Sequence, residues 1–330
     1  MRGCPGNDTA LSSARTAPGT RRLSDCGPPA ISYTIDPMPT SMRGPRAAGM
    51  AAMAGCALLW SLAGIFIKLV DWHPFAIAFG RSAIAAVFML AWVRRPRFTF
   101  SASQMLAALC YSATMILFVY ANKATTSANA ILLQYGEPVY VAIIGSFLLK
   151  EKPRAEHIVA FVFVAIGMGL FFAGGLGGGS LPGNLAAAAA GLTFAMYVIL
   201  MRKQKEGSPV ESAIIAHVIT AVVSFIGCLF LPMPSFDAKS LAAIAGLGVL
   251  QIGMASILFA FGIRRITALD SSLIGVLEPV FNPLWVFLAT GEAPGPSALA
   301  GGGIIIAAVV GSTLFSMRRD EARSASGTSP

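Results

Sequence analysis

Ten long apolar runs dominate the sequence beyond residue 48, at about 49–70, 74–93, 102–122, 125–149, 157–173, 183–201, 210–231, 240–263, 266–290 and 297–317. Each approaches the roughly 20 residues that a helix needs to cross about 30 Å of hydrocarbon. The runs are continuously apolar. They do not alternate as the strands of a membrane barrel must, so the strand reading fails. Of the 330 residues 55% are hydrophobic and only 12% charged, where a soluble globular chain carries roughly 25%. The expectation is an all-α membrane protein with ten transmembrane helices.

The net charge of +9 does not point to nucleic acid, because the basic residues sit in short clusters between the runs. That is the pattern of cytoplasmic loops. With the N-terminus placed inside, 20 of the 24 Lys and Arg residues fall on inside segments and two, Lys123 and Lys239, outside. Lys68 and Arg81 lie within runs. Both termini are therefore expected in the cytoplasm, with the protein in the cell (inner) membrane. Residues 1–48 are rich in Pro, Gly, Ser, Thr and Arg and lack apolar periodicity, so they are read as a disordered extension. Met50 or Met53 would start the chain directly before the first run.

The chain also repeats itself. At an offset of 141 residues, Glu137–Pro138 falls on Glu278–Pro279, Glu151 on Glu292, Pro153 on Pro294, Thr126 on Thr267 and Tyr120 on Phe261. An acid followed by a helix-breaking proline inside an apolar run is costly once. Twice at one offset, it marks an internal repeat. Each half holds five runs, an odd number, so the halves insert with opposite orientation, an architecture of secondary transporters. The expected organisation is a first five-helix repeat at 49–173, a Gly-rich linker at 174–182, a second repeat at 183–317 and a cytoplasmic tail at 318–330.

These features together resemble one family. Lys68 late in helix one, Arg81 in helix two, Glu-Pro in helices four and nine, and Lys150–Glu151 and Gly291–Glu292 at their ends are similar to the drug/metabolite transporters of the EamA type. The resemblance covers about residues 49–317. It implies ten helices, a small-molecule substrate and no cofactor, and leaves the cargo open among amino acids, other metabolites, sugars and drugs.

Lys68, Arg81, Glu137 and Glu278 are charges within apolar runs, and such charges are functional-site candidates by default. The two acids have three readings: proton carriers, partners for a cationic group, or structural acceptors beside a kink. Pro138 and Pro279 lack an N–H and kink their helices, and Pro283 makes helix nine the more broken. Arg81 is read as a cation for a substrate carboxylate, as a partner for Glu137, or as a side chain reaching the outer headgroups. Trp60, Tyr111, Gln134, Tyr140, Tyr197, Gln251, Asn282 and Trp285 lie in the runs and suggest a mixed apolar and polar cavity. Leu133, Glu137 and Tyr140 are spaced to share a helix face, as are Glu278, Asn282 and Trp285. Asp270 is placed near the cytoplasmic end of helix nine, where it reaches the interface. Helices five and ten, with Gly167–Met168–Gly169 and Gly301–Gly302–Gly303, are expected to be scaffold or homodimer-contact helices.

The three histidines and five cysteines form no metal-ligand spacing, and neither a phosphate loop nor a hydrolase motif occurs. An enzyme is therefore not expected. The sequence points to a secondary transporter of a small metabolite working by alternating access, export favoured. A lipid or lipid-linked sugar flippase and a non-transporting membrane assembly protein are the alternatives.

Overall fold

The computed structural model describes residues 44–173, 180–207, 209–232, 234, 236–290 and 295–325. Most of the N-terminal extension, residues 174–179 of the Gly-rich linker and Glu292 lie outside the described residues, as do the side chains of Lys68 and Pro283. Among the described residues all regular structure is helical.

The helices are α1 (Gly44–Trp60), α2 (Ala63–Lys68), α3 (Pro74–Val93), α4 (Ala102–Ala124), α5 (Ser127–Gln134), α6 (Glu137–Leu148) and α7 (Ala155–Phe171) in the first half. The second half holds α8 (Leu181–Lys203), α9 (Pro209–Cys228), α10 (Ala238–Gly246), a π-helical stretch at Leu247–Met254, α11 (Ala255–Ile263), α12 (Ala268–Gly275), α13 (Leu277–Thr290) and α14 (Pro296–Ala325). Eight helical segments among the described residues are long and apolar enough to cross a membrane. Helix α7 is a shorter apolar helix of 17 residues, and the run at 266–290 is divided between α12 and α13.

The packing repeats between the halves. Helix α4 lies against α8 as α11 lies against α1, and α3 meets the π-helical stretch as α9 meets α4. Helices α5 and α6 flank α8 as α12 and α13 flank α1. Three further pairs, α3 with α9, α6 with α12 and α7 with α14, join equivalent apolar runs of the two halves. Close approach is bought with glycine at the α7–α14 crossing. A Cβ on Gly167 would lie 2.7 Å from Ile305 Cγ1 and 2.9 Å from Gly301 O. Gly167 and Gly301 thus serve a contact within the chain, whereas a Cβ on Gly169 or Gly303 would meet open space.

One end of the bundle is tied together by polar side chains; we call it the basic end. Arg46 of α1 pairs with Asp270 of α12 at 2.9 Å and donates to Ser316 of α14 at 2.6 Å. His157 of α7 accepts from the Arg154 N–H through Nδ1, so its Nε2 carries the proton donated to Asp270 Oδ1 at 3.1 Å. Glu151, after α6, accepts from Arg202 Nε of α8 at 2.8 Å and from the Ala268 N–H that opens α12 at 3.0 Å. Arg202 also donates to the carbonyls of Ile263 and Arg264. Gln204 donates to the Ser103 carbonyl of α4, the Arg97 N–H donates to Glu211 of α9, and Arg319 of α14 pairs with Glu156 of α7. Asp270 therefore sits in a buried network at this end, where the sequence had placed it at the interface.

The main apolar cluster runs through the middle of the bundle and on to the basic end, with Met50, Met53, Ile263, Ile266 and Leu269 among its members, and a separate cluster of Met89, Ala213, Ile214 and Ile257 joins α3, α9 and α11. Toward the other end, here the far end, two further clusters stand apart. One joins Val70, Ile77 of α3, Ile244 of α10 and Leu247. The other joins Ala121 of α4, Ala130 of α5 and Ala187 of α8.

Candidate functional site

The two Glu-Pro pairs cut their helices, and the cut falls where proline geometry puts it. A proline ring clashes with the carbonyl four residues back. Helix α5 ends at Gln134, four before Pro138, and α12 ends at Gly275, four before Pro279. The matching half-helices begin alike. Thr126 Oγ1 caps α5 by accepting from the Asn129 N–H, and Thr267 Oγ1 caps α12 by accepting from the Asp270 N–H, both at 3.1 Å. The carbonyl of Gln134, at the cut, lies against α8 at Gly191, where a Cβ would come within 2.6 Å of it.

Because the break separates Leu133 from Glu137, the face expected to carry Leu133, Glu137 and Tyr140 does not form as one. Leu133 is exposed on α5, whereas Glu137 is buried at the start of α6 and Tyr140 is half-buried. In α13 the helix runs without interruption through Glu278, Asn282 and Trp285, and continues past position 283. The interruption of the rod thus precedes Pro279, and α13 is unbroken at Pro283.

Each acid is held by a hydroxyl from the opposite half. Ser272 Oγ of α12 donates to Glu137 Oε1 at 2.6 Å, and Tyr135 Oη, in the first-half break, donates to Glu278 Oε2 at 2.8 Å. The two breaks are thus cross-braced. Both acids also stand in the first turn of the second half-helix, where the helix dipole favours negative charge.

Arg81 of α3 is close enough to Glu278, Tyr111 and His217 to feel their charge or dipole. It forms no ion pair among the described residues. Its Nη2 reaches Met115 Sδ of α4 at 3.5 Å, and its buried Nε makes no hydrogen bond. The buried Oε1 atoms of Gln134 and Gln251 and Nδ1 of His217 are likewise unpartnered.

The aromatic residues separate into two groups. Tyr111, Tyr197 and Phe259 are fully buried and stack, with centroids 4.5 Å apart for Tyr111–Tyr197 and 5.5 Å for Tyr197–Phe259. Trp60 packs on Phe259 and Phe194. These rings form one aromatic cluster across α1, α4, α8 and α11. Trp285 instead donates Nε1–H to Ser61 Oγ at 2.7 Å, joining α13 to the break between α1 and α2. The widened π-helical stretch carries Gln251, whose Nε2 donates to the Trp60 carbonyl at 3.4 Å, another group freed by that break. Asn282 is half-buried on α13. The cross-bracing hydroxyls of Ser272 and Tyr135 and the network of Arg46, His157, Glu151 and Asp270 were not identified from sequence. The one signal was Thr-x-x-Asp at 267–270, a capping pattern matched by Thr126 and Asn129.

Helical rods packed in two repeats around broken, acid-bearing helices define a multi-pass membrane transporter. The sequence profile of the EamA-like transporter family matches residues 47–173 and 181–314, and the chain belongs to that family. An "Uncharacterized transporter" of Archaeoglobus fulgidus is 27% identical over 277 residues, covering 76% of this chain and 92% of its own. The "Uncharacterized transporter YcxC" of Bacillus subtilis is 28% identical over 268 residues, covering 73% and 82%. A protein crystal structure superposes with a TM-score of 0.71 at 22% identity, over 83% of this chain and 99% of its own, a likeness of fold.

Proposed function

We propose that this transporter moves a small metabolite, an amino acid or related compound, by alternating access, with export as the favoured direction. It resides in the cell membrane with both termini and the basic end in the cytoplasm. The observation that carries the reading is the asymmetry of the bundle. The two broken helices brace each other through Glu137 and Glu278, and Arg81 lies within electrostatic reach of Glu278 and Tyr111. The basic end is closed by polar ties that join the two halves. That arrangement suits a state open away from the cytoplasm. The breaks before Pro138 and Pro279 serve as flex points.

An assembly protein would pair its buried charges with one another in a dry core. Here Arg81 meets a thioether and each acid a hydroxyl. The apolar groove of about 640 Å³ between α7 and α14 shares none of its lining residues with the central site, so it gives a flippase path no support.

The test is transport in proteoliposomes against labelled amino acids, sugars and amines, with and without an imposed pH gradient. Wild type is compared with Glu137→Gln and Glu278→Gln. We expect at least one amino acid or close relative to move. If the gradient drives it and the Gln variants keep exchange but lose that drive, the acids carry protons. If the variants respond as wild type does, the acids are structural. Failure of every compound to move would sink the transporter reading.

A further inference from the structure

The surroundings of Arg81 bear on what the cargo carries. Arg81 stands seven residues into α3 from Pro74, about 10 Å along the helix. A guanidinium keeps its charge and offers five N–H donors. This one has, among the described residues, a single weak acceptor, Met115 Sδ at 3.5 Å, while its Nε is buried without a bond. Holding a cation in apolar surroundings on such terms is costly.

The acids do not relieve it. Glu137 is engaged by Ser272, and Glu278 is engaged by Tyr135. Glu278 lies within electrostatic reach of Arg81, yet no ion pair closes between them. In a medium of low dielectric, opposite charges that near attract strongly. The Tyr135 hydroxyl gives Glu278 a competing partner on the other half. Arg81 thus presents a rigid fork of donors that the protein leaves unfilled. It does so between α3, whose Ile77 belongs to one far-end cluster, and α4, whose Ala121 belongs to the other.

A planar fork of this kind matches a carboxylate with two parallel hydrogen bonds. We propose that the cargo is a carboxylate-bearing compound and that Arg81 is the residue that selects it, the carboxylate displacing Met115 from the guanidinium. The inference rests on the transporter reading.

The test uses matched acid and amide pairs: leucine and leucinamide, phenylalanine and phenylalaninamide, hexanoate and hexanamide. Uncharged sugars and simple amines are run alongside. Each compound is assayed for transport in proteoliposomes and for thermal stabilisation of the detergent-solubilised protein, with wild type, Arg81→Lys and Arg81→Gln. In at least one pair the acid should be preferred over its amide by tenfold or more. Arg81→Gln should bring acid and amide to within threefold of each other, and Arg81→Lys, which keeps charge without the fork, should fall between. Arg81→Lys also serves if Arg81→Gln does not fold. Amides taken as well as acids, or an acid preference that survives Arg81→Gln, overturns the proposal. Sugars or amines moving while no acid moves overturns it too and leaves the transporter reading standing. If nothing moves or stabilises, both fall.

Discussion

Ser272 and Asp270 sit two residues apart on α12 and hold very different partners. Ser272 gives its proton to a buried carboxyl group. Removing a donor leaves its acceptor unsatisfied, at a cost of about 1–3 kcal/mol. Ser272→Ala should therefore destabilise the protein by about that much in thermal unfolding. Glu137→Gln, which still offers Ser272 an oxygen, should cost less; a larger loss for Glu137→Gln would refute the assigned bond. Asp270 is 3% exposed and is shared by Arg46, His157 and Thr267. Breaking a buried ion pair by deleting one partner costs about 3–5 kcal/mol, so Asp270→Ala should be among the most destabilising single changes at the basic end. Sequence could not pair these groups. Arg46 and Asp270 are 224 positions apart, and which faces meet depends on how every intervening helix packs.

At the scale of elements, the broken helices were legible and their faces were not. Glu-Pro in an apolar run announces an interruption, and the cut lies where the proline forbids the fourth-previous carbonyl. Face arguments assume one continuous helix, so the spacing of Leu133, Glu137 and Tyr140 lost its meaning across the cut, while that of Glu278 to Trp285 kept it. Pro138→Ala and Pro279→Ala should lengthen helical pairing across residues 134–138 and 275–279. A proline in a helix interior costs about 3 kcal/mol, so thermal stability should hold or rise. Transport turnover should fall at least tenfold if the breaks are flex points, and unchanged turnover would remove that role. The caps belong to this scale too. Thr126→Ala and Thr267→Ala should each cost about 1 kcal/mol, and Thr267→Ala also removes the bond that Thr267 Oγ1 donates to Asp270 at 2.8 Å.

For the whole molecule, the two-repeat plan was readable from apolar runs and the 141-residue offset, because span length and repetition are properties of the chain itself. That the two ends differ was not, since it arises from contacts between distant segments. It predicts a difference in access. Cys56 of α1 is fully buried in the central core. With the other cysteines replaced by serine, it should resist a membrane-impermeant maleimide applied to inside-out vesicles, and Asp270→Asn should raise its labelling severalfold. Equal labelling with and without Asp270 would show that the polar ties do not hold the basic end shut. The cross-bracing has a consequence for the repeat. A chain made of two copies of the first half would place isoleucine, the counterpart of Ser272, beside one acid, because Ile131 occupies that position. It would also set a second tyrosine where Val276 now stands. The two halves are therefore complementary and not interchangeable: each acid is held by a hydroxyl that its own half lacks at the equivalent position.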